Sequence, residues 1–78
     1  SPLLQAFVEN YLLLVKIAAR IVGCRSRAED VVQDAFFRLR SAPQETLTFK
    51  AQLSYLFHIV RNLAIDHYRN QALEQKYT

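Results

Sequence analysis

The chain has 78 residues, a net charge of +3 and one cysteine, and about half of its residues are apolar. This length allows one small domain with a modest core, and the apolar content is higher than a disordered segment carries. Cys24 has no partner within the chain, which excludes an internal disulfide and fits a reducing cytosol. No apolar run approaches the ~20 residues of a membrane span, so we expect neither membrane insertion nor a signal peptide.

The first predicted helix begins at Ser1-Pro2, a capping residue followed by the residue that best tolerates the first turn. Gly23 ends it, because glycine adopts the positive φ of a helix C-terminus at little cost. Between them a broad apolar face predicts the centre of the core. Its members are Leu4, Phe7, Val8, Tyr11, Leu12, Val15, Ala18, Ala19 and Val22.

A second helix is predicted from about Arg27 to Arg40. Ser26 stands three residues before Glu29, the spacing of a capping box. Arg38 and Arg40 suit the negative end of the helix dipole. The inward stripe is expected to consist of Val31, Val32, Ala35, Phe36 and Leu39.

The same helix carries a second face with a different composition. Its positions i, i+3, i+4 and i+7 are Asp30, Gln33, Asp34 and Phe37. A large aromatic residue beside two carboxylates and an amide suggests a surface for a protein partner. The alternative is a solvated acidic face with Phe37 turned into the core.

The segment from Ser41 to Thr48 contains Pro43 and is predicted to be a loop, with Thr46 or Thr48 capping a third helix. This helix runs from Phe49 past Asn70 without Gly or Pro. Its apolar stripe consists of Phe49, Leu53, Leu56, Val60, Leu63 and Ala64, and its polar side of Gln52, Tyr55, Asn62, Asp66 and Arg69. With no strand-like alternation, we expect an all-α fold, a compact bundle of three main helices.

The sequence lacks the usual components of a catalytic or cofactor site. One glycine cannot form a phosphate-binding loop, and His58 and His67 face different sides of one helix, without zinc-ligand spacing. Ser54 and His58 are four residues apart, but no third group orients the histidine. We therefore expect no enzyme, no metal and no cofactor.

Two segments carry a family resemblance. AEDVVQDAFFRL (28–39), followed after a polar loop by LSYLFHIVRNLAIDHYR (53–69), resembles region 2 of the extracytoplasmic-function sigma factors. Region 2.2 of that family has an A-E-D-x-V-Q-(D/E)-x-F pattern, and region 2.4 an aromatic-x-I-A-R-N-x-A-I-D pattern. CRSRAEDVVQDAFF and FKAQLSYLFHIVRNLAIDHYR also resemble the iron-starvation, pyoverdine-type subgroup.

The resemblance implies two binding surfaces. In these sigma factors the region 2.2 face binds the clamp-helix coiled coil of the RNA polymerase β′ subunit, and here that face is Asp30, Gln33, Asp34 and Phe37. The loop and the polar side of the last helix help to open the promoter −10 element and capture a base of the non-template single strand. The corresponding DNA-binding candidates are Thr46, Leu47, Thr48, Phe49, Lys50, Tyr55, His58, Arg61, Asn62 and Arg69.

Among these candidates the roles differ. Asn62 is expected to contact a base edge, and Tyr55 to stack near the melted junction. Arg61, Arg69 and His58 are expected to bind phosphates. Phe49 fits the core as well as the pocket, and Tyr55 could instead pack against the first helix.

The family also implies an anti-sigma factor that covers these surfaces, and a cytoplasmic location. We expect residues 1–78 to form one excised region 2 (σ2) domain without the helix-turn-helix of region 4. Two rival interpretations remain open: a helical protein-interaction module without DNA binding, and a reader of duplex DNA that inserts the last helix into the major groove. The lack of a short glycine-containing turn before that helix disfavours the second.

Overall fold

The computed structural model describes residues 2–41 and 48–77, except for the side chains of residues 41, 49, 76 and 77. Within these residues four helices follow one another: α1 (Pro2–Glu9), α2 (Tyr11–Val22), α3 (Arg25–Ser41) and α4 (Phe49–Tyr77). The predicted all-α bundle is confirmed. It differs from the predicted three main helices in one respect: the first predicted helix consists of two helices that meet at Asn10 with a bend of 68°.

The side chain and backbone angles of Asn10 distinguish this break. Its side-chain Nδ2 donates to the Ala6 carbonyl at 2.8 Å, and its φ and ψ are −109° and 15°. Its backbone N–H donates to the carbonyls of Ala6 and Phe7 at 3.1 and 3.3 Å, and its carbonyl accepts from the Leu14 N–H at 3.0 Å. The bonds to Ala6 and from Leu14 have the spacing of a continuous helix, so the break lies in the backbone angles of Asn10 and in its side-chain bond, the kind of competition with the helix backbone for which asparagine is suited.

The bend changes which side chains face inward. In α1 the buried residues are Leu3, Ala6 and Phe7, and in α2 they are Leu14, Val15, Ala18 and Val22. Val8 and Leu12, predicted to lie in the core, are 67% and 63% exposed. The prediction was wrong for Val8 and Leu12 because it treated the segment before Gly23 as one continuous helix, with the same side facing inward on both sides of Asn10.

Gly23 ends α2 as predicted, with a φ of 76° and its N–H donating to the Ala19 carbonyl at 2.8 Å. The predicted capping box is wrong. α3 begins at Arg25, and the Ala28 N–H donates to the Cys24 carbonyl at 3.0 Å, so Ser26 already lies within the first turn. Glu29 forms an ion pair with Arg25 at 3.2 Å instead of reaching back to a cap.

The core lies where α2, α3 and α4 pack against one another. The predicted inward stripe of α3 is confirmed, with Phe36 only partly buried. On α4, Leu56, Val60, Leu63 and Ala64 are buried, whereas Leu53 is half-buried. The largest fully buried side chains are Leu14, Leu39, Leu56, Val31, Val32 and Val60.

α4 sets the long dimension of the molecule. The Thr48 hydroxyl accepts the Ala51 N–H at 3.1 Å, which confirms Thr48 as its capping residue. The helix has 29 residues, a length of about 44 Å at 1.5 Å per residue. This agrees with the longest extent of the molecule, 45 Å. The C-terminal part of α4 lies beside α3, since His67 Nε2 is 3.9 Å from Asp34 and Arg69 shares a cavity with Arg38.

Among the residues that the structure describes, no single helix is long and apolar enough to cross a membrane. α1 and α2 reach the required length and apolar composition only as a pair, and that pair is the one bent by 68° at Asn10.

Candidate functional site

The outer face of α3 carries the four residues predicted to bind a protein partner. Asp30 and Gln33 are exposed, Asp34 is half-buried, and Phe37 is 60% exposed. The alternative in which Phe37 turns into the core is therefore wrong. Its aromatic ring instead lies on the surface beside polar and acidic groups, the composition that the partner hypothesis requires.

Phe37 borders an aromatic groove between α1 and α3. Its ring lies edge-on to Phe36, with the centroids 5.8 Å apart, and Phe36 lies 5.6 Å from Phe7. Phe7 in turn lies 6.3 Å from Tyr11. The groove encloses about 620 Å³, and we call it the α1/α3 groove; it is lined by Phe7, Val8, Tyr11, Gln33, Phe36 and Phe37.

Asp34 lies at the opposite edge of the same face, where α3 meets α4. Its Oδ1 accepts from Arg38 Nε at 3.3 Å, and its Oδ2 lies 3.9 Å from His67 Nε2 of α4, an ion pair only when the histidine is protonated. The Asp34 and Arg38 side chains are 37% and 63% exposed. Exposed pairs of this kind contribute about 0–1 kcal/mol, so the aspartate is oriented without being locked in place.

Tyr55 and Asn62 of α4 face a cleft beside the same part of α3. The cleft encloses about 280 Å³, and we call it the α3/α4 cleft; it is lined by Arg38, Tyr55, Ile59, Asn62, Leu63 and Asp66. Tyr55 is 40% exposed and Asn62 is exposed. The cleft thus combines an aromatic ring, an amide and a guanidinium, groups that respectively stack on, hydrogen-bond to and neutralise a nucleotide.

Arg69 lines a neighbouring cavity of about 520 Å³. Arg38, Leu63 and Asp66 line both this cavity and the α3/α4 cleft. Lys50, His58 and Arg61 are exposed but line neither space. Because successive residues of a helix turn by about 100°, Arg61 points well away from Asn62. The structure therefore divides these predicted DNA-binding residues into a group that lines the cleft or the adjoining cavity and a group outside both.

The remaining predicted DNA-binding residues are Thr46, Leu47, Thr48 and Phe49. Thr46 and Leu47 lie outside the described residues, as does the side chain of Phe49. Thr48 is exposed, and its hydroxyl oxygen accepts the capping hydrogen bond at the start of α4. That hydroxyl still has a proton to donate to a ligand, so capping and a DNA contact are compatible.

The only role predicted for Arg38 was to complement the negative end of the helix dipole, and none was predicted for His67. Arg38 stands four residues after Asp34, the spacing of an intrahelical ion pair, so this contact could have been found. The approach of His67 to Asp34 carries no such local signal, because it depends on how α4 packs against α3. Within residues 2–41 and 48–77, no group of three or more His, Cys, Asp or Glu side chains is placed to hold a metal ion.

Comparison with protein families gives one match. The family model described as Sigma-70 region 2 matches residues 6–74, which include parts of α1 and α4 and everything between them. No curated protein and no solved structure matches the chain significantly. The matched segment contains the outer face of α3 and the α3/α4 cleft.

Proposed function

Because this chain belongs to the Sigma-70 region 2 family, we propose that it is the σ2 domain of an extracytoplasmic-function sigma factor and that it holds the opened promoter −10 strand. Family membership makes it a domain of an RNA polymerase sigma factor, a non-enzymatic component of transcription initiation that binds the polymerase core and promoter DNA.

The outer face of α3 is the proposed docking site for the β′ clamp helices. Asp30, Gln33 and Asp34 offer acceptors to the arginines of a coiled coil, and carboxylate–arginine pairs are among the strongest polar contacts. Phe37 supplies the apolar anchor that interfaces need for most of their binding energy. Its 60% exposure in the free domain supports this role, since the ring has area left to bury against a partner.

The α3/α4 cleft is the proposed site for a base of the non-template strand. Extruding a base costs a few kcal/mol, which stacking on an aromatic ring and hydrogen bonds to its edge can offset. Tyr55 and Asn62 line this one cleft together, and that juxtaposition is the observation that carries the proposal. Arg69 in the adjoining cavity, and Arg61 and His58 outside both spaces, would bind the phosphate backbone of the strand and make DNA binding salt-dependent.

The regulatory part of the proposal is that an anti-sigma factor holds the domain inactive and that its promoters belong to iron-starvation or siderophore genes. The sequence resemblance to the pyoverdine-type subgroup supports the gene class. The α1/α3 groove supports a second protein partner, because exposed Val8 and Phe37 flank partly buried aromatic rings there. The place of action would be the cytosol, where the polymerase works.

The groove also favours the rival function, a protein-interaction module without DNA binding. The two functions differ in what Asn62 does. In the sigma mechanism Asn62→Ala removes a base contact, whereas in the rival it changes an exposed side chain that touches no nucleic acid.

The test is fluorescence anisotropy of a labelled −10 non-template strand and of the matching duplex, with the chain bound to core RNA polymerase and with core alone as the baseline. We expect a preference for the single strand and a loss of about tenfold in affinity for Asn62→Ala, the size of one good base contact. Gln75→Ala is the matched control, because it removes an exposed amide side chain on the same helix that lines neither the α3/α4 cleft nor the adjoining cavity.

Docking is measured in the same experiment by titrating core polymerase with labelled chain. Asp34→Ala and Phe37→Ala should each weaken docking about tenfold, as central interface residues do, while Glu9→Ala should not. If the wild-type complex binds neither nucleic acid above the core baseline at low salt, the DNA-binding function is wrong and the interaction module stands.

A further inference from the structure

Arg38 is the residue at which the two proposed surfaces meet. Its guanidinium contacts Asp34 of the docking face at 3.3 Å. The same side chain lines the α3/α4 cleft beside Tyr55 and Asn62, and also the adjoining cavity with Arg69. Complementing the dipole at the end of α3 does not account for this position, because Arg38 also lines both spaces between α3 and α4.

We propose that Arg38 is a nucleic-acid contact that Asp34 restrains in the free domain and that a partner cation on Asp34 releases. The inference rests on the proposed function, because it assumes that Asp34 meets the polymerase and that the α3/α4 cleft meets the strand. When an arginine of the partner occupies the Asp34 carboxylate, the Arg38 guanidinium turns to a phosphate of the strand in the cleft. Docking on the polymerase thereby adds a cation to the DNA site.

The geometry and exposure of the pair favour such an exchange. With 63% of the Arg38 side chain and 37% of the Asp34 side chain exposed, the pair is weak and screened by solvent. A carboxylate has only two oxygens, and Arg38 and His67 already lie near one each. A bidentate partner arginine would occupy further lone pairs on both oxygens, and its positive charge would repel the Arg38 guanidinium and weaken the Arg38 contact. Guanidinium groups match phosphate geometry, which makes the strand a suitable second acceptor.

The competing explanation is that Arg38 and Asp34 are only a helix-stabilising i,i+4 pair. The chain contains a matched example, Arg25 with Glu29 at 3.2 Å on the same helix. Neither of those residues lines the α3/α4 cleft. Neutralising Glu29 therefore removes one negative charge and frees one arginine, as neutralising Asp34 does, but at a place away from the proposed DNA site.

The test is a pair of double-mutant cycles on the free chain, with a labelled single strand of the −10 sequence as the probe. The first cycle consists of Asp34→Asn, Arg38→Gln and their combination, and the second of Glu29→Gln, Arg25→Gln and their combination. We expect Asp34→Asn to raise the affinity for the strand about threefold more than Glu29→Gln does at low salt. Asp34→Asn should also make the slope of log affinity against log salt concentration steeper by about 0.7, the value of one more phosphate contact on a single strand. Arg38→Gln should abolish that gain.

Docking is tested with the chain bound to core RNA polymerase, relative to core alone. There Arg38→Gln should lower strand affinity about fivefold and reduce the salt dependence, as loss of a phosphate contact does. Core affinity should be kept or raised, because Arg38 no longer competes with the partner cation for Asp34. Arg25→Gln should have neither effect. Circular dichroism of each variant checks that the helices are retained.

Two results would overturn the inference in different ways. If the wild-type complex prefers the single strand but the two cycles give the same coupling, Arg38 is a helix-stabilising residue and the proposed function stands without it. If the wild-type complex does not bind the strand at all, the proposed function is wrong and the role of Arg38 with it.

Discussion

The Thr48 hydroxyl caps the N-terminus of α4, the helix that contributes Tyr55 and Asn62 to the proposed DNA site. It accepts the Ala51 N–H at 3.1 Å, one of the donors that the first turn of a helix leaves without a backbone partner. Thr48→Ala should lower the free energy of unfolding by about 1 kcal/mol, and Thr48→Ser should restore nearly all of it, because serine keeps the acceptor. Urea denaturation followed by circular dichroism measures both. Equal stability of the alanine variant and the wild type would show that this cap contributes nothing.

Single residues also show how far the site could be predicted. Helical spacing placed Asp30, Gln33, Asp34 and Phe37 on one face, and the structure keeps them on the outside of α3. Spacing also put Tyr55 and Asn62 on one side of α4, and both line the same cleft. The sequence could not place Arg38 between these surfaces, because that depends on the register of α3 against α4. The separation of Arg61 from Asn62, by contrast, follows from the rotation of about 100° between successive helical residues.

At the scale of elements, the helices were predicted better than their ends. α3 and α4 were found within one or two residues because one apolar stripe runs along each. The break at Asn10 was missed since apolar residues continue on both sides of it, and what distinguishes it from a position within one helix is its backbone angles and the hydrogen bond of its side chain to the Ala6 carbonyl. This change of helix direction explains why Val8 and Leu12 are exposed, Val8 at the edge of the α1/α3 groove.

Gly23 sets the turn between α2 and α3. Its φ of 76° lies in the left-handed region, and a Cβ built there has nothing within 4 Å. Gly23→Ala should therefore lower the free energy of unfolding by backbone strain alone, about 1 kcal/mol, and Gly23→Asn by less, because asparagine tolerates this conformation better. Chemical denaturation of both variants tests the order. A larger loss for asparagine than for alanine would contradict an origin in the backbone.

For the whole molecule, the small core limits how much change the fold can tolerate. A domain of 78 residues has a free energy of unfolding on the order of 4–12 kcal/mol. Its largest fully buried side chains come from α2, α3 and α4, so each of these helices depends on the other two. α1 is held through Leu3, Ala6 and Phe7. Both proposed surfaces are built from helices that pack on this core, so loss of the core removes them together.

Leu56 tests this dependence, since it is fully buried on α4 one residue after Tyr55. Leu56→Ala should lower the free energy of unfolding by about 3 kcal/mol, the sum of lost burial and a residual cavity, and should shift the urea midpoint without changing the slope. Leu73→Ala on the same helix is the control: that side chain is 52% exposed, and its loss should cost less than about 0.5 kcal/mol. Near the Leu56→Ala midpoint, strand binding and polymerase docking should fall in the same proportion. If docking persisted while strand binding was lost, α3 would hold its shape without α4, and the two surfaces would not share one core.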